Sequence, residues 1–196
     1  MKNVLLLLAQ GFEAFEASVF TDVLGWSRDI GDSPVNVITA GRRAQITCTW
    51  NFTVTPEVQL SDISVDDFNA LAIPGGFEEA GFYQDAYHED FLHIIRLFHD
   101  AKKIIASICV GAMPLGKSGI LNGRKATTYH LMDGIRRRQL EGFGAYVQNR
   151  PVVVDDNIIT STSPATALEV AFTLLRMLTS QDNEEKVKAE MGFIGK

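Results

Sequence analysis

Short, almost wholly apolar runs recur along this chain of 196 residues, and longer segments whose apolar residues return every three or four positions lie between them. The runs at residues 2–8, 69–73 and 103–108 carry no polar face, so each reads as a strand covered on both sides. Residues 35–39 read as a further strand. Between them, residues 13–30 set Phe15, Val19, Phe20, Val23, Leu24 and Ser27 on one helical face, and residues 89–102 do the same with Phe91, Leu92, Ile95 and Phe98. That alternation is the order of an α/β chain, a mostly parallel sheet with helices on both faces.

The remaining segments fit around this frame. Residues 45–55 predict a pair of short strands at a sheet edge, residues 77–87 an ordered loop over a site, and residues 113–117 a helix that tolerates Pro114 in its first turn. Residues 124–128 predict a short strand and residues 131–140 a helix. A hairpin turns around Asp155-Asp156, joining residues 152–154 to 157–161. Ser163-Pro164 opens an apolar helix over residues 165–178, and the polar tail from Ser180 predicts a short terminal helix.

Composition narrows the class. With 46% hydrophobic and 21% charged residues the chain predicts one soluble domain, residues 1–196, without a membrane span. The apolar opening at residues 4–9 is shorter than a signal-peptide core and is followed by Glu13 and Glu16, so it predicts a buried strand. A formal charge of -6 argues against a nucleic-acid partner, and Arg136-Arg137-Arg138 reads as a solvated helix face. Two cysteines, Cys48 and Cys109, without a CxxC, indicate neither a disulfide framework nor a metal site. A reduced, cytoplasmic setting follows.

Cys109 stands where the strand at 103–108 gives way to Val110-Gly111-Ala112 and a helix, the layout of a nucleophile elbow. The turn tilts the side chain off the sheet, and the helix N-terminus favours a thiolate. The Val110 N–H and one from Pro74-Gly75-Gly76, Gly76 being the candidate, supply donors for an oxyanion. An inert buried thiol is the competing reading of the same segment.

Several motifs resemble, in order, those of the ThiJ/PfpI superfamily, in the branch of the Parkinson-disease-associated deglycase, within the class I glutamine amidotransferase-like fold. They are Gln10-Gly11-Phe12-Glu13-Ala14-Phe15-Glu16, Ile73-Pro74-Gly75-Gly76, Ala106-Ser107-Ile108-Cys109-Val110-Gly111, Gly123-Arg124-Lys125-Ala126-Thr127-Thr128, and Ile158-Ile159-Thr160-Ser161 with Pro164-Ala165-Thr166-Ala167-Leu168-Glu169. The resemblance implies a flavodoxin-like three-layer sandwich, a homodimer, a reactive cysteine and no cofactor. Glu16 falls at the family's acidic residue beside the sulfur; Glu13 is the competing carboxylate. Two like charges there predict one shared proton, Glu16 donating to a Cys109 thiolate.

The chain departs from the family at three places. Val110 replaces the histidine that follows the cysteine in peptidase-like members, which argues against proteolysis. After Thr127-Thr128 the family's histidine position holds Tyr129, with His130 next, and at most one of the two faces Cys109 along a strand. Trp26 and Trp50 stand where arginines are common, and with Phe12, Phe77, Phe82 and Tyr83 they predict an apolar cleft or plain packing. Cys48 reads as structural or interfacial. The function expected is cofactor-independent chemistry on a small carbonyl compound, a 2-oxoaldehyde converted to a 2-hydroxy acid. Cys109 is the nucleophile, Glu16 the proton shuttle, His130 a further candidate, and Gly75, Gly76 and Val110 the oxyanion donors. A redox sensor or chaperone acting through oxidation of Cys109 is the alternative, and an amidase or peptidase comes last.

Overall fold

A computed structural model describes residues 1–193. In chain order the elements are β1 (Lys2–Leu8), α1 (Ala14–Ile30), β2 (Val35–Gly41), β3 (Ile46–Thr47), β4 (Thr53–Val54), β5 (Val58–Gln59), β6 (Ala70–Ile73), α2 (Phe82–Ala86), α3 (Glu89–Asp100) and β7 (Ile104–Ser107). They continue with α4 (Ala112–Lys117), β8 (Lys125–Ala126), α5 (Ile135–Gly142), β9 (Tyr146–Val147), β10 (Val152–Asp155), β11 (Ile158–Ser161), α6 (Ala167–Leu178) and α7 (Gln181–Glu190).

The main sheet runs β10-β11-β7-β6-β1-β2-β5. Every neighbouring pair is parallel except β10 with β11. Helices α1, α6 and α7 pack together on one face, and α3, α4 and α5 on the other, which is the flavodoxin-like sandwich. Val4 to Leu8, Ala70 to Ile73 and Ile105 to Ile108 are buried without alternation, as strands must be when helices cover both faces. Because β2 lies on one side of β1 and β6 on the other, the loops after β1 and β6 diverge and leave a crevice at the carboxyl edge.

Three expectations need correction. The strands at 45–55 form their own hairpin, β3 with β4, and the edge of the main sheet is β5 instead. Residues 77–87 contain a 3-10 turn, Glu78–Ala80, followed by α2, where sequence periodicity is too short to register. A buried clamp fixes that segment. Asp85 accepts from Arg42 Nη1 at 3.0 Å, from Arg43 Nε at 2.9 Å and from the Gln10 N–H at 3.0 Å. Thirdly, residues 124–128 pair with β9 in a separate two-stranded sheet over β8 alone, and the helix expected from 131 begins only at Ile135, because Met132 and Asp133 have positive φ.

The turns after β6 and β7 touch backbone to backbone. A Cβ at Gly111 would lie 2.6 Å from the Ile73 carbonyl oxygen and 3.1 Å from that of Pro74. Neither atom can rotate away, so Gly111→Ala has to part the two turns. We expect it to cost at least about 2 kcal/mol, read as a lower urea midpoint at unchanged m-value.

Candidate functional site

Cys109 sits at the crevice with φ 54°, a left-handed conformation that a non-glycine residue adopts at a cost of about 1–3 kcal/mol. Hydrogen bonds around it enforce the turn. The Ile108 N–H donates to Ile73 O at 3.1 Å, the Gly111 N–H to Ile108 O at 2.8 Å, and the Thr128 hydroxyl to Cys109 O at 2.9 Å. The side chain is 7% exposed. Residues 109–111 form one 3-10 turn ahead of the six-residue α4.

Glu16, in the first turn of α1, comes to the same point with no exposed surface. Its Oε2 accepts the Gly75 N–H at 2.6 Å, while Oε1 is buried without a partner of good geometry. The carboxyl faces the thiol, and each affects the protonation of the other. A Cβ at Gly75 would lie 2.9 Å from Glu16 Oε2, so glycine there is what lets the backbone reach the carboxyl. Glu13, the competing residue, is the N-cap of α1 and half-buried. It acts on the pair only as a nearby charge.

The two oxyanion glycines divide their work. The Gly75 N–H is committed to Glu16, so it holds the carboxyl and is not free for a substrate. Gly76 bridges Phe12 through the flanking bonds Glu13 N–H to Gly75 O and Phe77 N–H to Gly11 O, which leaves its own N–H outside the pairing. The Val110 N–H points at the Cys109 sulfur.

His130 is not part of this site. It is exposed and lines a separate cavity with Thr127, Arg137 and Arg150; the chain after β8 is no longer a strand and carries it away. Tyr129 packs half-buried against the core. Trp26 lies ten residues along α1 from Glu16, roughly 15 Å at helical rise. It borders a cavity with Asp22 and Arg28, away from the thiol. Trp50 is 69% exposed and meets Phe77 at 5.5 Å between ring centroids, on the rim of the Gly75-Gly76 turn. Phe12 and Phe82 are core, and Cys48 is buried with its sulfur accepting the Trp50 and Phe52 N–H groups.

Two residues near the thiol escaped the sequence reading of their roles. Tyr83 keeps a fully buried, unpartnered hydroxyl, and burial above all, with Cys109 among the lesser contributors, pushes its phenol up. Arg136, expected in solvent, stands 4.8 Å over the Tyr83 ring and donates to Glu78 at 2.6 Å. Among the described residues no three of His, Cys, Asp or Glu gather as metal ligands do.

Burial decides the protonation. It pushes Glu16 up to about 8, Glu13 adding to it and the Gly75 N–H opposing. Burial, and after it the Glu16 charge, also pushes the Cys109 thiol up, against the Val110 N–H. Burial therefore works against the expected thiolate. A helix terminus is worth about 2 kcal/mol at most, while complete burial shifts a pKa by about 3–5 units, each unit about 1.4 kcal/mol. Burial thus favours the protonated form of each group. For stability, the unfolded chain ionises Glu16 above pH 4.5 while the folded chain does not follow until about 8, so stability falls as pH rises between those values. Glu16→Gln, which stays neutral and can still accept the Gly75 N–H, should lose that slope. It should be more stable than wild type at pH 8 by a few kcal/mol in urea unfolding, with the difference vanishing at pH 4.

Comparison with known proteins agrees with this architecture. A model of the DJ-1/PfpI family matches residues 2–177. Protein dj-1beta of Drosophila melanogaster is 30% identical over 190 residues, 95% of this chain and 94% of that one. General stress protein 18 of Bacillus subtilis is 36% identical over 112 residues, 57% of this chain and 61% of that protein. The crystal structure of Drosophila melanogaster DJ-1beta superposes with a TM-score of 0.84 at 25% identity, covering 100% of this chain and 99% of that one. A flavodoxin-like sheet, a strained cysteine at the end of β7 and a buried glutamate facing it are thus set in a chain that belongs to the DJ-1/PfpI family.

Proposed function

We propose that the chain is a cofactor-independent enzyme that adds Cys109 to a small reactive carbonyl compound, with 2-oxoaldehydes converted to 2-hydroxy acids as the substrate class. The observation that carries this reading is the buried Glu16 carboxyl facing Cys109, which burial pushes up to about 8, close to working pH as a proton shuttle requires.

The steps balance within the pair, substrate and water. The Glu16 carboxylate takes the thiol proton and Sγ adds to the aldehyde carbon. The resulting alkoxide, held by the Gly76 and Val110 N–H groups, takes that proton back from Glu16. Glu16 then removes the hydrogen of the aldehyde carbon as a proton and delivers a proton to the neighbouring carbon. The hydroxyl proton passes to the second oxygen. The aldehyde carbon is thereby oxidised to a thioester and the ketone carbon reduced to an alcohol, with no outside oxidant. Water cleaves the thioester and restores the thiol.

The chain is proposed to act as a cytoplasmic homodimer. No helix of the described residues is long and apolar enough to cross a membrane, and both cysteines are free. Phe15 and Trp26 are exposed on one face of α1, an apolar stripe that a second copy would cover.

The competent form has lost one proton, so kcat/KM for methylglyoxal should rise with pH and level off above about 8. Cys109→Ser should abolish turnover, and Glu16→Gln should lower it at least about 100-fold and erase the pH step. Full activity in Cys109→Ser would sink the mechanism. Stoichiometric oxidation of Cys109 by dilute peroxide without aldehyde turnover would put redox sensing in its place.

A further inference from the structure

His130, displaced from the thiol, helps to build a second pocket. A cavity of about 110 Å³ is lined by Thr127, His130, Arg137, Asn149, Arg150 and Thr162, together with Gln148 and Pro151. It belongs to the same edge of the sheet as Cys109. Thr162 follows β11, whose neighbour β7 leads into the cysteine, and Thr127 precedes the residue whose hydroxyl holds the Cys109 carbonyl.

The lining is unbalanced in charge. It contains two guanidinium groups and an imidazole and neither Asp nor Glu, in a chain whose formal charge is -6. Most other arginines find carboxylates, among them Arg42 and Arg43 on Asp85, Arg96 on Glu89 and Arg136 on Glu78. Arg137 has only the Asn149 side-chain oxygen, at 3.4 Å. Arg150 and His130 have no carboxylate partner among the described residues. Donors remain to complete a shell. The Asn149 amide N–H₂ and the hydroxyl of the buried Thr162 carry no other bond among the described residues.

We infer that this pocket binds a phosphate dianion, either free or as the terminal phosphomonoester of a small metabolite. Guanidinium forks match the paired oxygens of phosphate, and two permanent positive charges favour a dianion over a carboxylate. The volume takes one tetrahedral oxyanion and no nucleoside. The inference does not depend on what Cys109 does.

Calorimetric titration with inorganic phosphate and with glycerol 3-phosphate, at ionic strength held constant with chloride, tests it. Saturable binding is expected, at least tenfold weaker in Arg137→Gln/Arg150→Gln and unchanged in Arg138→Gln, whose guanidinium lies on the Asp133 carbonyl. In amide spectra the shifts should centre on Thr127, Asn149 and Thr162. Tighter binding of the ester identifies a metabolite as the source; equal binding identifies the free ion. Acetate binding as well as phosphate, shifts centred elsewhere, or equal affinity in a double variant of wild-type spectrum would each overturn it.

Discussion

A carboxyl group with no exposed surface, held by one backbone N–H, ties the working edge of the sheet together. Glu16 comes from the first turn of α1, Gly75 from the turn after β6, and Cys109 from the turn after β7. Strands β1, β6 and β7 are consecutive neighbours in the sheet, so one contact fixes three adjacent loops. It forms only because side chains are missing where the turns approach, at Gly75 against the carboxyl and at Gly111 against the β6 turn. The arrangement works against stability, since a strained cysteine and an acid raised by burial both cost free energy. The unbroken apolar strands beneath must supply it.

The reactivity proposed for Cys109 depends on how many protons the pair holds. A helix terminus and one N–H pull the thiol toward ionisation, but both are weaker than the desolvation that the sheet imposes. Burial consequently favours the protonated form of each group, and the two titrate as a coupled pair. A carboxyl raised to about 8 is a better base than an ordinary glutamate. In the proposed chemistry the sulfur reacts when Glu16 has taken its proton, which ties nucleophilicity to the presence of the carboxylate rather than to α4.

Most of the frame was legible because continuous burial leaves a mark in sequence: β1, β6, β7 and helices α1, α3 and α6 stand where apolar runs and periods placed them. Two-residue strands such as β3, β4, β5, β8 and β9 leave no period to detect, and a five-residue helix such as α2 is as silent. Within the site, Cys109 could be read from its elbow, but Glu16 could not be separated from Glu13 by local pattern, since both are acids at the start of α1. What separates them is burial against Gly75, a long-range fact. The role of Tyr83 left no trace for the same reason, as its hydroxyl is unusual only through what surrounds it. The arginine triplet misled because three consecutive helical residues point in three directions. Arg136 turns to Tyr83 and Glu78, Arg137 to Asn149 and Arg138 to the Asp133 carbonyl.

That dispersal bears on the chemistry. A guanidinium placed directly at Cys109 would stabilise the thiolate and draw Glu16 back toward an ordinary carboxylate pKa, leaving no mobile proton to share. Arg136, the guanidinium stacked on Tyr83, is paired with Glu78 instead. Arg137, Arg150 and His130, which have no carboxylate partner among the described residues, gather instead beyond β11, around Thr127 and Thr162. The carboxyl edge of a parallel sheet gathers loops whether or not their functions are compatible. In this chain, Tyr129 and His130 mark the division: one packs on the core, and the other leaves for the cationic pocket. The thiol keeps a neighbourhood governed by burial, and positive charge is held about one strand away.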